Sequence, residues 1–182
     1  MPASKINLRE LQAPIKARYQ ADPTAATIVL RVQSNASDLA DPLHCAITPE
    51  AVPDTVWHSG AHPGVGGVGD VPCSADLLLG ALVACQEVTL RMVAGAMGLE
   101  LESVQIEATG ELDLRGTLGM SRDVAVGMRS IRCDTRVTVK DDGRPDRAKR
   151  LLENAERYCV VLDTLRSGIP IESTFSLQTT GD

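Results

Sequence analysis

The stretch SADLLLGALVACQEVTLRMVAGAMGL, residues 74–99, limits what this chain can fold into more than any other segment. Ser74 is placed to cap a helix that runs to about Met97. Asp76 in its first turn suits the positive end of the helix dipole, and Gly98 is placed to end it. Through residues 77–84 apolar side chains go almost completely round the helix. Such a helix must be covered on every side, by its own sheet or by a second subunit. Gln86, Glu87 and Arg91 interrupt the apolar run and argue against a membrane span. A central helix of a globular fold is expected.

The flanking segments follow a different period. Residues 27–34 alternate, with Ile28, Leu30 and Val32 on one face, as a half-buried strand requires. A short strand is expected around residues 44–48. The same two-residue period runs through residues 101–114 (Val104, Ile106, Ala108, Leu112) and residues 131–140 (Ile131, Cys133, Val137, Val139). Asp141, Asp142 and Gly143 mark a turn, and Pro145 opens a second helix whose Ala148, Leu151, Leu152 and Ala155 share one face. A short helical turn should end at Gly168, and Ile169, Ile171, Phe175 and Leu177 pattern a last strand. Residues 5–20 read as a short helix or arm, with Pro14 breaking any helix that starts upstream. The glycine-rich SGAHPGVGGVGD should be irregular, a lid or connector. Strands on both sides of helices, each with one polar face, define an α+β fold with largely antiparallel sheet. The division expected is an N-terminal arm over residues 1–24 and one domain over residues 25–182.

Composition removes several functions. At 182 residues one domain can bury a real core, and the formal net charge of -6 repels phosphate backbones and anionic membranes. Aromatic residues are only Tyr19, Trp57, Tyr158 and Phe175, too few for a base-stacking platform. Nucleic acid and membrane are therefore set aside as partners. The N-terminal segment MPASKINLRELQAPIKARYQ lacks the pattern of a secretory signal, so a reducing cytoplasm is expected. VGGVGD lacks the lysine of a phosphate loop, and there is no G-x-S-x-G elbow.

Chemistry is left to the thiols. Cys45, Cys73, Cys85, Cys133 and Cys159 form an odd set with no C-x-x-C pair, which fits neither a disulfide framework nor a zinc ribbon. Cys85 and Cys159 each close a helix-patterned segment, PCSADLLLGALVAC and ENAERYCVVLDTLRSGIP. Thiols so far apart in sequence meet only through the fold, as a reactive cysteine and its resolving partner do. Cys73, beside the start of the long helix, is a candidate second nucleophile or resolving residue. Cys133 and Cys45 read as structural. His44, His58 and His62 are the only imidazoles, and no helix fixes their spacing, so no metal site is assigned. No cofactor is assigned either.

Those two cysteine segments, PCSADLLLGALVAC and ERYCVVLDTLRSGIPIE, resemble the OsmC/Ohr proteins (osmotically inducible protein C and organic hydroperoxide resistance protein) over roughly residues 25–178. The resemblance implies an OsmC-like fold in which antiparallel sheets wrap around central helices in an intertwined homodimer, with the site at the subunit interface. It implies that Cys85 attacks an organic hydroperoxide, that Cys159 resolves the sulfenic acid to a disulfide, and that a dithiol reductant, often a lipoylated protein, restores both thiols.

The chain departs from the family pattern at two places. A glutamate ten residues before the reactive cysteine and an arginine about twenty before it are replaced by Ala75 and Val65. Asp76 lies one step out of register, and no arginine occurs between Arg31 and Arg91. Positive charge would have to come from His58, His62, Arg115, Arg122 or Arg129. Two functions from different classes stay open: a thiol peroxidase using Cys85 and Cys159, supported by Asp76, Cys73 or His62, and a non-peroxidatic relative that binds a small hydrophobic ligand at the dimer interface.

Overall fold

The computed structural model describes residues 6–34, 38–140 and 144–179. Helix α1 (Leu8–Ala21) and one 3-10 turn (Pro23–Ala26) lead into β1 (Val32–Gln33), β2 (His44–Pro49) and β3 (Trp57–Gly60). These strands form an antiparallel sheet in the order β1-β2-β3. A loop then delivers α2 (Ser74–Met97), followed by β4 (Leu101–Glu111), the single-turn α3 (Leu114–Thr117), β5 (Ser130–Val139), α4 (Pro145–Arg157) and α5 (Val160–Ser167). Strands β4 and β5 make a second antiparallel sheet, with Val104 opposite Val137 and Ala108 opposite Cys133. The α+β class and the antiparallel pairing follow the sequence patterns. The turn expected at Asp141, Asp142 and Gly143 lies outside the described residues.

The core forms where α2 crosses the β4–β5 sheet and α4. Leu82, Gln86, Leu90 and Ala94, one residue every turn, are the buried stripe of α2. Leu90, Ala94, Leu99, Leu151 and Ala155 close into one cluster, with Val104 and Val137 packed on it from the sheet. By length and a mean hydropathy of 1.6, α2 is apolar enough to cross a bilayer, but here one stripe of it is the floor of the fold. The C-terminal end of α2 is clamped twice. Arg9 of α1 donates from Nε to the carbonyl of Ala96 at 2.8 Å, and Arg147 of α4 donates to the carbonyl of Met97. Cations belong at this negative end of a helix.

Several expectations need correction. Cys73, not Ser74, caps α2, because Asp76 then falls at the third helical position and its carboxylate accepts the Cys73 amide at 2.9 Å. Pro14 does not break the first helix; α1 runs through it. Asn7 caps that helix, Pro14 faces solvent, where a carbonyl left without its partner can be hydrated, and Leu8 packs near Gly95. The strand expected over residues 27–34 is reduced to β1, and residues 169–177 form no strand. Alternation alone makes no ladder: beyond the pairing of Val32–Gln33 with β2, these segments form no strand among the described residues, and Val29, Ile171 and Phe175 are 84%, 85% and 93% exposed. The apolar wrap of α2 is likewise covered on one side only, since Leu78, Val88 and Met92 are exposed.

The glycine-rich loop is tethered at both ends and holds a 3-10 turn (Pro63–Val65) where no regular structure was expected. Gly67 lies so close to Ala61 that a Cβ would fall 1.7 Å from the Ala61 carbonyl oxygen, so only glycine fits. At the far end Asp70 accepts from His44 Nε2 at 3.0 Å, while Asp41 meets the other ring nitrogen at 2.7 Å. Asp70 and Asp41 raise the His44 pKa above its ordinary 6.5, and the Leu43 amide with His44 lowers Asp41, as His44 lowers Asp70.

A raised imidazole pKa means that this contribution is fully present below the unfolded value and is lost as pH climbs through the folded one. The lowered carboxylates have the opposite sense and fail only in acid. The thermal midpoint of the natural chain should therefore fall relative to His44→Gln as the pH rises above the ordinary imidazole value of 6.5. A difference between the two proteins that stays flat with pH removes the latch.

Candidate functional site

Cys85 and Cys159 meet. Helix α2 carries Cys85 at mid-length, half-buried, and the junction between α4 and α5 brings Cys159 to it. Helix α4 ends when Tyr158 donates its amide to the Asn154 carbonyl, and Cys159 becomes the N-cap of α5, with its carbonyl accepting the Asp163 amide at 3.0 Å. Cys159 is fully buried. The two thiols lie close enough to perturb each other's ionisation, and the Val161 and Val160 amides and the Thr89 hydroxyl act on Cys85 as well.

This environment separates the two thiols. Burial pushes the Cys85 pKa up, but the Val161 amide, Cys159, Thr89 and the Val160 amide together outweigh it, so the Cys85 pKa ends below its ordinary value. Burial raises Cys159; the Leu162 amide offsets part of this, while Cys85 beside it raises it further. The surroundings thus favour the thiolate at Cys85 and the thiol at Cys159.

The other residues singled out in the sequence lie elsewhere. Cys73 and Asp76 are at the mouth of α2, about 18 Å and about 13 Å along the axis from Cys85. The Cys73 amide and thiol and then the charge of His62 hold Asp76 below the ordinary carboxylate range. His62 caps the 3-10 turn before the helix, its Nδ1 accepting from the Gly64 amide at 3.0 Å. His58 is exposed on β3. Of the arginines considered as a source of positive charge, Arg115 and Arg129 are both bound by Asp113, at 2.6 Å and 2.7 Å. Arg122 is exposed in the loop after α3. Thr89 and the first amides of α5 were not singled out in the sequence. The signal for Thr89 was its place four residues beyond Cys85 on the same helix; the amides carried none, because backbone groups have no letter.

A cleft of about 600 Å³ opens between α2, β5, α4 and α5, with Leu82, Gln86, Arg129, Cys133, Leu162 and Arg166 among its walls; neither Cys85 nor Cys159 lines it. Gln86 is buried, and its Oε1 has no hydrogen-bond partner. Burial and then Asp134 raise the Cys133 thiol, so it is not poised to ionise. Cys45 is exposed on β2.

A cysteine pair held between a long apolar helix and the start of a second one, over antiparallel sheet, places the chain among paired-thiol α+β proteins. It belongs to the OsmC family, whose model, described as OsmC-like protein, matches residues 67–174. Among solved structures it is similar to an OsmC-like protein from Mycoplasma pneumoniae, at 14% identity over 78% of this chain and 89% of that one, with a TM-score of 0.60. An OsmC-like protein of unknown function from Vibrio cholerae is 10% identical over 76% of this chain and 94% of that one, with a TM-score of 0.57. An organic hydroperoxide resistance protein from Legionella pneumophila is 14% identical over 78% and 91%, with a TM-score of 0.54. No curated protein matches the sequence. At these identities the structures establish the OsmC-like fold.

The contrast between the thiols sets their reactivity. With reduced protein at neutral pH, iodoacetamide should modify Cys85 about tenfold or more faster than Cys159 and Cys133, measured on the separated peptides by mass spectrometry. Equal, slow modification of all three would show that Cys85 is not activated.

Proposed function

We propose that this chain is a thiol peroxidase that reduces organic hydroperoxides, and the observation that carries this reading is the contact between Cys85 and Cys159, with the Cys85 pKa lowered and the Cys159 pKa raised. The Cys85 thiolate attacks the terminal oxygen of R–O–OH, the O–O bond breaks, and the alkoxide leaves as ROH after taking a proton. Cys85 becomes a sulfenic acid. Cys159 then attacks that sulfur, water leaves with the Cys159 proton, and a disulfide joins α2 to the start of α5. An external dithiol, of the kind a lipoylated protein carries, restores both thiols by exchange and is itself oxidised to a disulfide.

The same reading includes a homodimer with the site at its interface. Leu78, Ala81, Val88 and Met92 are exposed on α2 and, with Cys85 among them, repeat at alternating three- and four-residue spacings. That is the seam of a helix packed against another helix. The extended apolar residues 27–34 and 169–177, together with the two-stranded β4–β5 sheet, supply strands for a shared sheet. Light scattering after size exclusion should give twice the chain mass at micromolar concentration; the mass of one chain, unchanged on tenfold concentration, would remove the dimer.

A second reading, binding of a small hydrophobic ligand without turnover, is favoured by Ala75 and Val65 at the places where the family's glutamate and arginine are found. One experiment separates the two. Reduced protein mixed with one equivalent of cumene hydroperoxide should lose two hydrogens within seconds and yield a peptide cross-linked through Cys85 and Cys159. Cys85→Ser should yield none, and hydrogen peroxide should react more slowly. Unchanged thiols would leave ligand binding as the account.

A further inference from the structure

The cleft between α2, β5, α4 and α5 stands apart from the thiol pair, neither member of which lines it. Its volume of about 600 Å³ falls within the range of small-molecule sites, about 300 to 1,000 Å³. It also lies away from the proposed dimer seam. Leu82 and Gln86 in its wall belong to the buried stripe of α2, whereas Leu78 and Met92 of the seam are exposed on the other side of that helix.

The walls define what can occupy it. Much of their surface is aliphatic, from Leu82, Ile131, Leu162 and Leu165. The arginines that reach the cleft are already neutralised, Arg129 by Asp113 at 2.7 Å and Arg166 by Glu156 at 2.7 Å. A neutral, mostly apolar occupant fits such walls. Gln86 adds one polar requirement. It is 7% exposed, and its Oε1 is buried with no hydrogen-bond partner among the described residues. A buried acceptor left unpaired is costly, so a carboxamide held at this place points to a donor from outside the chain. The last torsion of a glutamine side chain is soft, and turning it brings the oxygen to the cleft without moving α2. We propose that the cleft binds a small neutral aliphatic molecule with a hydrogen-bond donor, of which an alcohol is the simplest, and that Gln86 Oε1 accepts from it while the aliphatic walls cover its chain.

The test compares octanol with its isomer methyl heptyl ether, which has the same size and no donor, on the reduced natural chain and on Gln86→Met, which keeps the side-chain length and removes the acceptor. Cys133, in the wall of the cleft, reports where they bind. Octanol should slow alkylation of Cys133 by N-ethylmaleimide, followed on its own peptide, while the exposed Cys45 reacts as before. Half-protection should need about three- to tenfold less octanol than ether, the worth of one hydrogen bond. Gln86→Met should erase that preference, and its thermal midpoint should equal or exceed that of the natural chain, because an unpaired acceptor has been removed. Cys133 left unprotected, equal protection by alcohol and ether in the natural chain, or a preference that survives Gln86→Met overturns the proposal. A midpoint for Gln86→Met several degrees below the natural one overturns it too, since the oxygen would then have a partner in the folded protein already. Hydroperoxide enters none of these readouts, so the peroxidase reading stands or falls separately.

Discussion

Everything in this molecule hangs on one stripe of one helix. Leu82, Gln86, Leu90 and Ala94 face inward on α2, and the β4–β5 sheet, α4 and α5 find their places by packing near that line. Burying a leucine side chain fully contributes about 1.5 to 3 kcal/mol relative to leaving it in water. Leu82, Leu90 and Leu151 are the large apolar side chains that approach full burial here. The stripe also sets the azimuth of Cys85. At 100° per residue, a cysteine one position before Gln86 falls at the border between the covered stripe and the open apolar face. There it meets α5 without being sealed beneath it.

The thiol chemistry derives from how a helix begins. Ending α4 at Tyr158 and starting α5 immediately afterwards leaves three amides with no internal acceptor, at the point where α2 passes. Those amides bear on the ionisation of two sulfurs. Because Cys85 gains more from amides and hydroxyl than burial costs it, while Cys159 does not, two chemically identical side chains acquire opposite tendencies. Cys159 brings the start of the helix with it, so the partner thiol and the stabilising dipoles come from one structural device.

Much of this was legible in the sequence. Period-two alternation found β4 and β5 within a few residues, the apolar run found α2, and the two cysteine segments pointed to the pair that the fold brings together. What failed did so for physical reasons. Residues 27–34 and 169–177 alternate as strands do, but a strand also needs a neighbour's backbone, and a sequence pattern is silent about whether the same chain supplies one. Pro14 was read by its local penalty, whereas the cap at Asn7 and the packing of Leu8 on α2 decide the helix. Ser74 has the commoner capping side chain, but the Asp76 carboxylate fixes the start one residue earlier. The amides around Cys85 were invisible because backbone donors belong to a conformation and not to a residue type.

The clamp on the far end of α2 bears on how such a protein can be taken apart. Arg9 lies outside residues 67–174, the part matched to the family, yet its guanidinium sits on the carbonyl of Ala96 in the helix that carries Cys85. The N-terminal helix is thus not a detachable appendage. Grafting the family-matched segment alone onto another leader would leave the carbonyl end of α2 with a single guanidinium in place of two. In this chain the boundary of the homologous region and the boundary of the mechanical unit do not coincide.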